Sequence, residues 1–526
     1  MLPNTSLPPR GTALVLALVL ALLVFRLGDV PLLGPDEPRY ARVAVEMHRH
    51  GEWVVPTLQG KPWLEKPPLY YWMAGAAFSI LGETEAAARL PSVLAAVALA
   101  GITALMGARL YGSAAGLHAG FIAGTCLLTF AYGRAAAMDM LLAASVSASI
   151  GLVGLRLLGI AGRMAVPAAG ACAGIALLAK GPLGALLPAL VAGAYLATAR
   201  DRREAWKRIA PGLPLAVVAM VVVAGPWYAS ILAAEGRAFV DVFLLDHNVA
   251  RFTSTVHRHP GPFFYYLPVL VAGLFLWSGL IVPGLTELRP RRGRSTDLFV
   301  LCWLAAPFAF FSAAGSKLPG YILPCVPALA IAAGRAATAM STAERPRWTA
   351  RATGLVTVLF GALAAAGPLA LRQMGEPLWR VVIPPGVWAV LVALMVSSRI
   401  GRDPTAALRL LRIGAAGFLL LLAHAAPPLL ARRESGRELF RHTEGQEVLV
   451  WNAWRTAWMS GYFYNDGGVR EVSSLEEIVT TASRDTALVL CGPAEVRRLS
   501  QLPGFLATIV AVGPRGQTLV RLRPYS

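Results

Sequence analysis

Apolar residues recur along most of this chain in runs of about 20, separated by short polar loops. A run of that length spans the hydrocarbon core of a bilayer as a helix. The runs fall at 11–28, 89–110, 114–132, 135–158, 163–180, 181–198, 209–233, 263–284, 297–315, 317–340, 353–371, 379–397 and 410–430, and they predict thirteen transmembrane helices. Pro and Gly are frequent inside them, which membrane helices tolerate. A further apolar stretch at 69–81 is too short for a full span, and it reads as an interfacial or re-entrant piece. From about residue 431 the pattern changes. Short apolar runs at 447–451, 486–491, 506–512 and 518–522 alternate with polar helical stretches at 474–482 and 493–499. Strands alternating with helical patterns predict a small α/β domain. The expected division is therefore 1–430 for the membrane domain, with a polar loop at 29–88, and 431–526 for the α/β domain.

Charge then sets the orientation. Lys and Arg concentrate in four short loops: Arg200 to Arg208, Arg289 to Arg294, Arg335 to Arg351, and Arg399 to Arg412. With thirteen spans these loops share one side with the N-terminus, and positive loops mark the cytoplasmic side. The loop at 29–88 and the α/β domain then fall outside, on the side opposite the cytoplasm. The chain is 56% hydrophobic and 15% charged, with a formal net charge of +19. That excess does not predict a nucleic-acid partner, because most of it lies in the loops that orient the spans. Of the five cysteines, four lie in apolar segments and none form a CxxC pair, so neither a disulfide framework nor a cysteine zinc site is expected. Arg10 and the apolar run after it read as an uncleaved first span rather than a signal peptide.

The stretch Gly34–Tyr71, GPDEPRYARVAVEMHRHGEWVVPTLQGKPWLEKPPLYY, is too long and too charged for a plain connector. Asp36 and Glu37 precede Pro38 at a helix start, where acids complement the helix dipole. Tyr40, Val43, Ala44 and Met47 follow at helical spacing with Arg39, Arg42 and Glu46 on other faces, the pattern of an amphipathic helix in the membrane interface. Capping alone would account for the two acids; so would a catalytic carboxylate. Lys66 sits between Glu65 and Pro67-Pro68, which fix its direction, and a lysine ammonium suits a phosphate oxygen as well as it suits snorkelling.

Three further groups join the loop on the outer side. Asp139 lies just inside the outer end of a span, where a lone carboxylate costs a few kcal/mol unless paired. The segment Asp246-His247-Asn248-Val249-Ala250-Arg251-Phe252 precedes His257 and His259, and Glu65 with His247 or His257 has the ligand types for a divalent ion, zinc or magnesium. Lys317 and Tyr321 lie in SKLPGYILP, where the phenol is either a lipid-phosphate donor or part of an aromatic belt. Acids and bases gathered at one membrane face fit chemistry on a lipid-linked phosphate. Cations hold the leaving phosphate and a carboxylate positions or deprotonates the acceptor. A transporter or flippase would carry its ionisable groups near mid-membrane on broken helices with internal repeats, and no such repeat is visible.

GPDEPRYARVAVEM, GEWVVPTLQG, LEKPPLYYW, MDM, HNVARF and SKLPGYILP follow in order over roughly residues 30–330. With these motifs the chain resembles the bacterial lipid-linked glycosyltransferases of the aminoarabinose transferase type. The resemblance implies an all-α C-type glycosyltransferase fold with the α/β domain appended. It implies transfer of 4-amino-4-deoxy-L-arabinose or a similar sugar from undecaprenyl phosphate to lipid A or a related envelope glycolipid; a protein or glycan acceptor is the alternative. Asp36 and Asp139 are then the catalytic carboxylates. Lys66, Arg251, Arg39 and Tyr321 attend the donor phosphate, with Glu37 and Lys317 as further candidates. Glu65 and His247 would hold the metal. The expected partners are the donor lipid, the acceptor lipid and the bilayer, with the protein a monomer.

Overall fold

The structure, a computed structural model, describes residues 6–250, 261–288, 295–341, 379–399 and 402–525, without the side chains of 247–250 and 379–382. Arg251, and the side chain of His247, therefore lie outside the described residues, as does the expected span at 353–371. Every other expected span coincides with an apolar helix or a bent pair of helices. Among the described residues six helices are long and apolar enough to cross a membrane, or eight if each of two bent pairs forms one span. The bends are 55° between Ser113–Thr125 and Leu127–Gly133, and 113° between Phe263–Gly273 and Ser278–Glu287. Other expected spans are shorter helices, such as Pro9–Val24, Ala165–Lys180 and Leu183–Thr198. The 69–81 stretch is the helix Leu69–Leu81; its 13 residues reach about 20 Å at 1.5 Å per residue, short of the hydrocarbon thickness.

The chain divides into two compact units. The first comprises 1–25, 64–70 and 91–422. Its helices pack through small residues, as membrane helices do when backbones approach closely. A Cβ on Gly116 would lie 2.5 Å from the Ala104 carbonyl oxygen, and one on Gly170 would lie 2.1 Å from that of Ala216. The fully buried Asp297 is satisfied by Arg335 at 2.8 Å and by the Tyr111 hydroxyl at 2.9 Å.

The second unit comprises 26–63, 71–90 and 423–526. Its helix Asp36–His50 ends at Gly51, whose φ of 68° provides the left-handed C-terminal residue. A two-stranded hairpin follows, β1 (Thr57–Leu58) and β2 (Lys61–Pro62), turning through Gln59 and Gly60 at φ 52° and 72°. Two positive φ values are the mark of a tight hairpin turn matched to strand twist. The α/β region holds β3 (Val448–Trp451), β4 (Val469–Glu471), β5 (Ala487–Cys491), β6 (Phe505–Val512) and β7 (Thr518–Pro524) in the order β4-β3-β5-β7-β6. β3 is parallel to both neighbours, while β7 is antiparallel to β5 and β6. Side chains alternate between faces along each strand. Val448, Val450, Leu488 and Leu490 accordingly join Phe440 and Trp458 on one side, and Leu449, Val489 and Val520 join Ile478 and Leu499 on the other. The helix Leu475–Arg484 starts with a cap in which the Ser474 hydroxyl accepts from the Glu477 amide.

The helix Asp36–His50 differs from the expected interfacial helix in one respect. Its charged side is covered by protein as well: Glu37, Arg39 and Glu46 are all buried. The reason is that these charges have internal partners.

Candidate functional site

In the second unit Asp36 is the first residue of its helix and stays exposed. Its carboxylate does not cap the helix; it pairs with the Arg39 guanidinium one turn on. Arg39 is held in turn by its Nε donating to the Pro35 carbonyl at 2.9 Å and by the Trp63 ring, 5.3 Å from the guanidinium carbon. An exposed carboxylate is thus fixed by a buried cation stacked on an aromatic face. Glu37 points elsewhere. Its Oε2 accepts from Arg89 at 2.6 Å and from the Leu33 amide at 2.9 Å. Arg89 also donates to the carbonyls of Leu27, Val30 and Pro31, at 3.1, 2.5 and 2.7 Å. Glu37 therefore anchors the segment leading into Asp36.

Glu46 fastens the hairpin. It accepts from the amides of Gln59 and Gly60, the Thr57 hydroxyl and Arg42 Nε, all within 2.8–3.1 Å. Burial pushes its carboxyl up, but Arg42 and these donors outweigh burial and hold it below the usual carboxylate value. Asp466 is treated the same way: burial raises it, while Arg49 and Arg42 bring it lower overall.

In the first unit Lys66 is buried, and its ammonium donates to the Glu65 carbonyl at 3.1 Å. Asp139 begins the helix Asp139–Leu157, yet its Oδ1 is taken by Lys180 Nζ at 2.6 Å. The same ammonium lies 5.0 Å from the centre of the Tyr321 ring, close enough for a cation–π contact. A Cβ on Gly320 would strike the Tyr132 ring at 2.5 Å, so glycine lets these two segments meet. The preceding turn is tied down by Arg134, which donates to the Leu23 and Phe25 carbonyls at 2.6 and 2.8 Å, and by Ser92, which donates to Ala137 O at 2.9 Å. Lys317 is buried and donates to the Ala314 carbonyl at 2.6 Å.

Each unit thus carries its own charged constellation: Asp36–Arg39–Trp63 in one and Asp139–Lys180–Tyr321 in the other, the unit that also contains Lys66. Lys180 escaped the sequence reading because it stands between two apolar runs, 163–180 and 181–198, so it looked like a boundary. Its clue was a cation inside apolar sequence, which needs a counter-charge such as Asp139. Arg89 was likewise read as the first residue of a span. For the metal, Glu65 is half-buried and the His247 side chain lies outside the described residues. Among the described residues no three His, Cys, Asp or Glu side chains gather as a metal-binding group.

A bundle of apolar helices with ionisable groups held at helix starts defines a multi-pass membrane protein, and its architecture is that of the C-type glycosyltransferases. Residues 65–228 match the family described as dolichyl-phosphate-mannose-protein mannosyltransferase. ArnT from Cupriavidus metallidurans, solved bound to undecaprenyl phosphate, superposes with a TM-score of 0.78 over 97% of both chains at 24% identity. An oligosaccharyltransferase from Archaeoglobus fulgidus shares the fold more distantly, with a TM-score of 0.53 over 93% of this chain and 70% of that one, at 12% identity. An undecaprenyl phosphate-alpha-4-amino-4-deoxy-L-arabinose arabinosyl transferase from Edwardsiella ictaluri is 32% identical over 390 residues, 69% of each chain. The enzyme of the same name from Enterobacter sp. (strain 638) is 32% identical over 64% of this chain; the chain spans 60% of that relative's length. The chain belongs to the undecaprenyl phosphate-aminoarabinose arabinosyl transferase family.

Proposed function

We propose that this protein transfers 4-amino-4-deoxy-L-arabinose, or a similar sugar, from undecaprenyl phosphate to a phosphate of lipid A or a related envelope glycolipid. Family membership supports the donor and the reaction, and one observation from the site carries the reading furthest. The Asp139–Lys180 ion pair, with the Lys180 ammonium against the Tyr321 ring, places opposite charges at the start of an apolar helix. Intramembrane ionisable residues mark functional sites by default.

In the reaction the bond between the anomeric carbon and the polyprenyl phosphate oxygen breaks. The leaving phosphate takes up negative charge, and an acceptor oxygen forms the new bond. Cations stabilise that developing charge where water is excluded. Lys66, Arg251 and Arg39 are assigned to the donor phosphate, with Tyr321 beside Lys180. A phosphate acceptor is already an anion at neutral pH and needs no strong base, so Asp36 orients the acceptor or balances the cations. A hydroxyl acceptor would instead need Asp36 as general base; the match to protein mannosyltransferases over 65–228 favours that second reading, with a protein or glycan acceptor. In either case we assign thirteen spans over 1–430, a bacterial inner-membrane location, and a periplasmic face for the site and the 431–526 domain. The protein is taken as a monomer.

Mass spectrometry of lipid A from cells with and without the gene tests this directly. Loss of a pentosamine-sized addition in the deletion, restored by the wild-type gene, is expected. Unchanged lipid A in both strains overturns the acceptor assignment.

A further inference from the structure

The segment between Arg26 and Asp36 has no regular secondary structure, so its backbone needs partners from elsewhere. Three consecutive amides just before Asp36 find them. Leu32 N–H donates to the Tyr464 hydroxyl at 2.7 Å, Leu33 N–H to Glu37 at 2.9 Å, and Gly34 N–H to the Glu434 carbonyl at 2.9 Å. Two of these three acceptors come from residues some 400 positions later in the chain. The Tyr464 hydroxyl also donates to Glu85 Oε1 at 3.1 Å, an atom that Arg437 holds at 3.0 Å. Asp466 then grips the helix Asp36–His50 itself, accepting from Arg42 at 3.2 Å and from Arg49 at 3.0 Å. The side chains of Arg42, Arg49, Glu85, Arg437, Tyr464 and Asp466 line a cleft of about 410 Å³.

From this we infer that the C-terminal α/β region is a positioning element for transfer: Tyr464 and Asp466 hold the Asp36 helix and its lead-in in the reactive geometry. Neither residue touches substrate; both act through Asp36, and the inference rests on the assignment of Asp36 to the site. Tyr464 is the stronger hold, because its hydroxyl both accepts from the Leu32 amide and donates to Glu85. Removing it leaves the Leu32 amide without its acceptor beside Pro31 and Pro35, which restrict how the segment can readjust. Asp466 is exposed, and its pairs with Arg42 and Arg49 contribute less. No other part of the proposed reaction needs either group.

The test compares the full-length wild type with Tyr464→Phe, which keeps the ring, and Asp466→Asn. Transfer kinetics with purified undecaprenyl-phosphate-linked sugar are combined with amide hydrogen exchange at residues 27–37. In Tyr464→Phe, kcat is expected to fall about tenfold with KM for the donor unchanged, and exchange at 32–34 to rise while that of β3 and β5 stays as in the wild type. Asp466→Asn is expected to lower kcat two- to threefold, and serves alone if Tyr464→Phe fails to fold. Unchanged kcat in the folded variants overturns the inference, even where exchange rises. An Asp36→Asn protein that still turns over at the normal rate refutes the site assignment instead, so the two failures are told apart.

Discussion

Arg89 is the residue whose loss the structure prices most clearly. Its side chain is nearly inaccessible, with the whole residue 1% exposed. It binds the Glu37 carboxylate and the carbonyls of Leu27, Val30 and Pro31. Arg89→Met keeps much of the volume and removes every one of those donors. Removing one partner of a buried pair costs about 3–5 kcal/mol, because the other charge stays behind. Glu37 still accepts from the Leu33 amide, so the lower end, about 3 kcal/mol, is expected. At about 1.4 kcal/mol per tenfold, the segment 27–37 opens roughly a hundredfold more often. Amide exchange over 27–37 reads that opening, and thermal unfolding in detergent reads the global loss. Glu37→Leu removes the other partner, and the double variant should be less destabilised than the sum of the singles by about 1–3 kcal/mol. Additive effects, or exchange at 27–37 equal to the wild type in Arg89→Met, would refute the clamp.

Glu46 makes stability depend on pH. Its folded carboxyl lies below the ordinary value of 4.5, so its contribution is present above that pH and is lost as pH falls through the folded value. Unfolding followed from pH 7 down to 3 should show this loss in the wild type and a flatter profile in Glu46→Gln. Lys66→Ala and Arg251→Ala each remove a cation assigned to the donor phosphate. A charge-assisted contact is worth about 1.5–3 kcal/mol, so transfer rates should fall roughly tenfold or more; normal turnover at wild-type expression removes these residues from the phosphate site. Lys180→Met leaves Asp139 without its partner and should impair transfer at least as much as Asp139→Asn, measured as kcat on the same preparation.

Much of the fold was readable because hydrophobic pattern reports directly on burial. Apolar runs gave the helices, and four alternating runs after residue 431 became β3, β5, β6 and β7. The strand β4 was invisible: Val469-Arg470-Glu471 is three residues long and mostly charged, and pairing with β3 alone makes it a strand. Lengths near 16 residues, as in Ala165–Lys180, also hide whether a helix is a full span. The site was legible in its residue types but not in its pairings. Asp36, Lys66 and Asp139 stand out as charges in unusual places. That Asp139 meets Lys180, 41 positions on, and that Glu37 meets Arg89 rather than a ligand, depends on how the helices pack. Glu46 and Arg42 read as solvated charges on an amphipathic helix, yet they fasten a hairpin whose turn the Gln59-Gly60 pair hints at only weakly.

The central claim is that Asp36 serves sugar transfer from a polyprenyl phosphate. Purified wild type and Asp36→Asn, given undecaprenyl-phosphate-linked 4-amino-4-deoxy-L-arabinose and lipid A, test it by mass spectrometry of the product. Transfer by the wild type and its near-complete loss in a folded Asp36→Asn protein are predicted. The neutral isostere keeps the shape of the side chain at the helix start, so a purely structural Asp36 would leave the rate near normal, and that result would contradict the account.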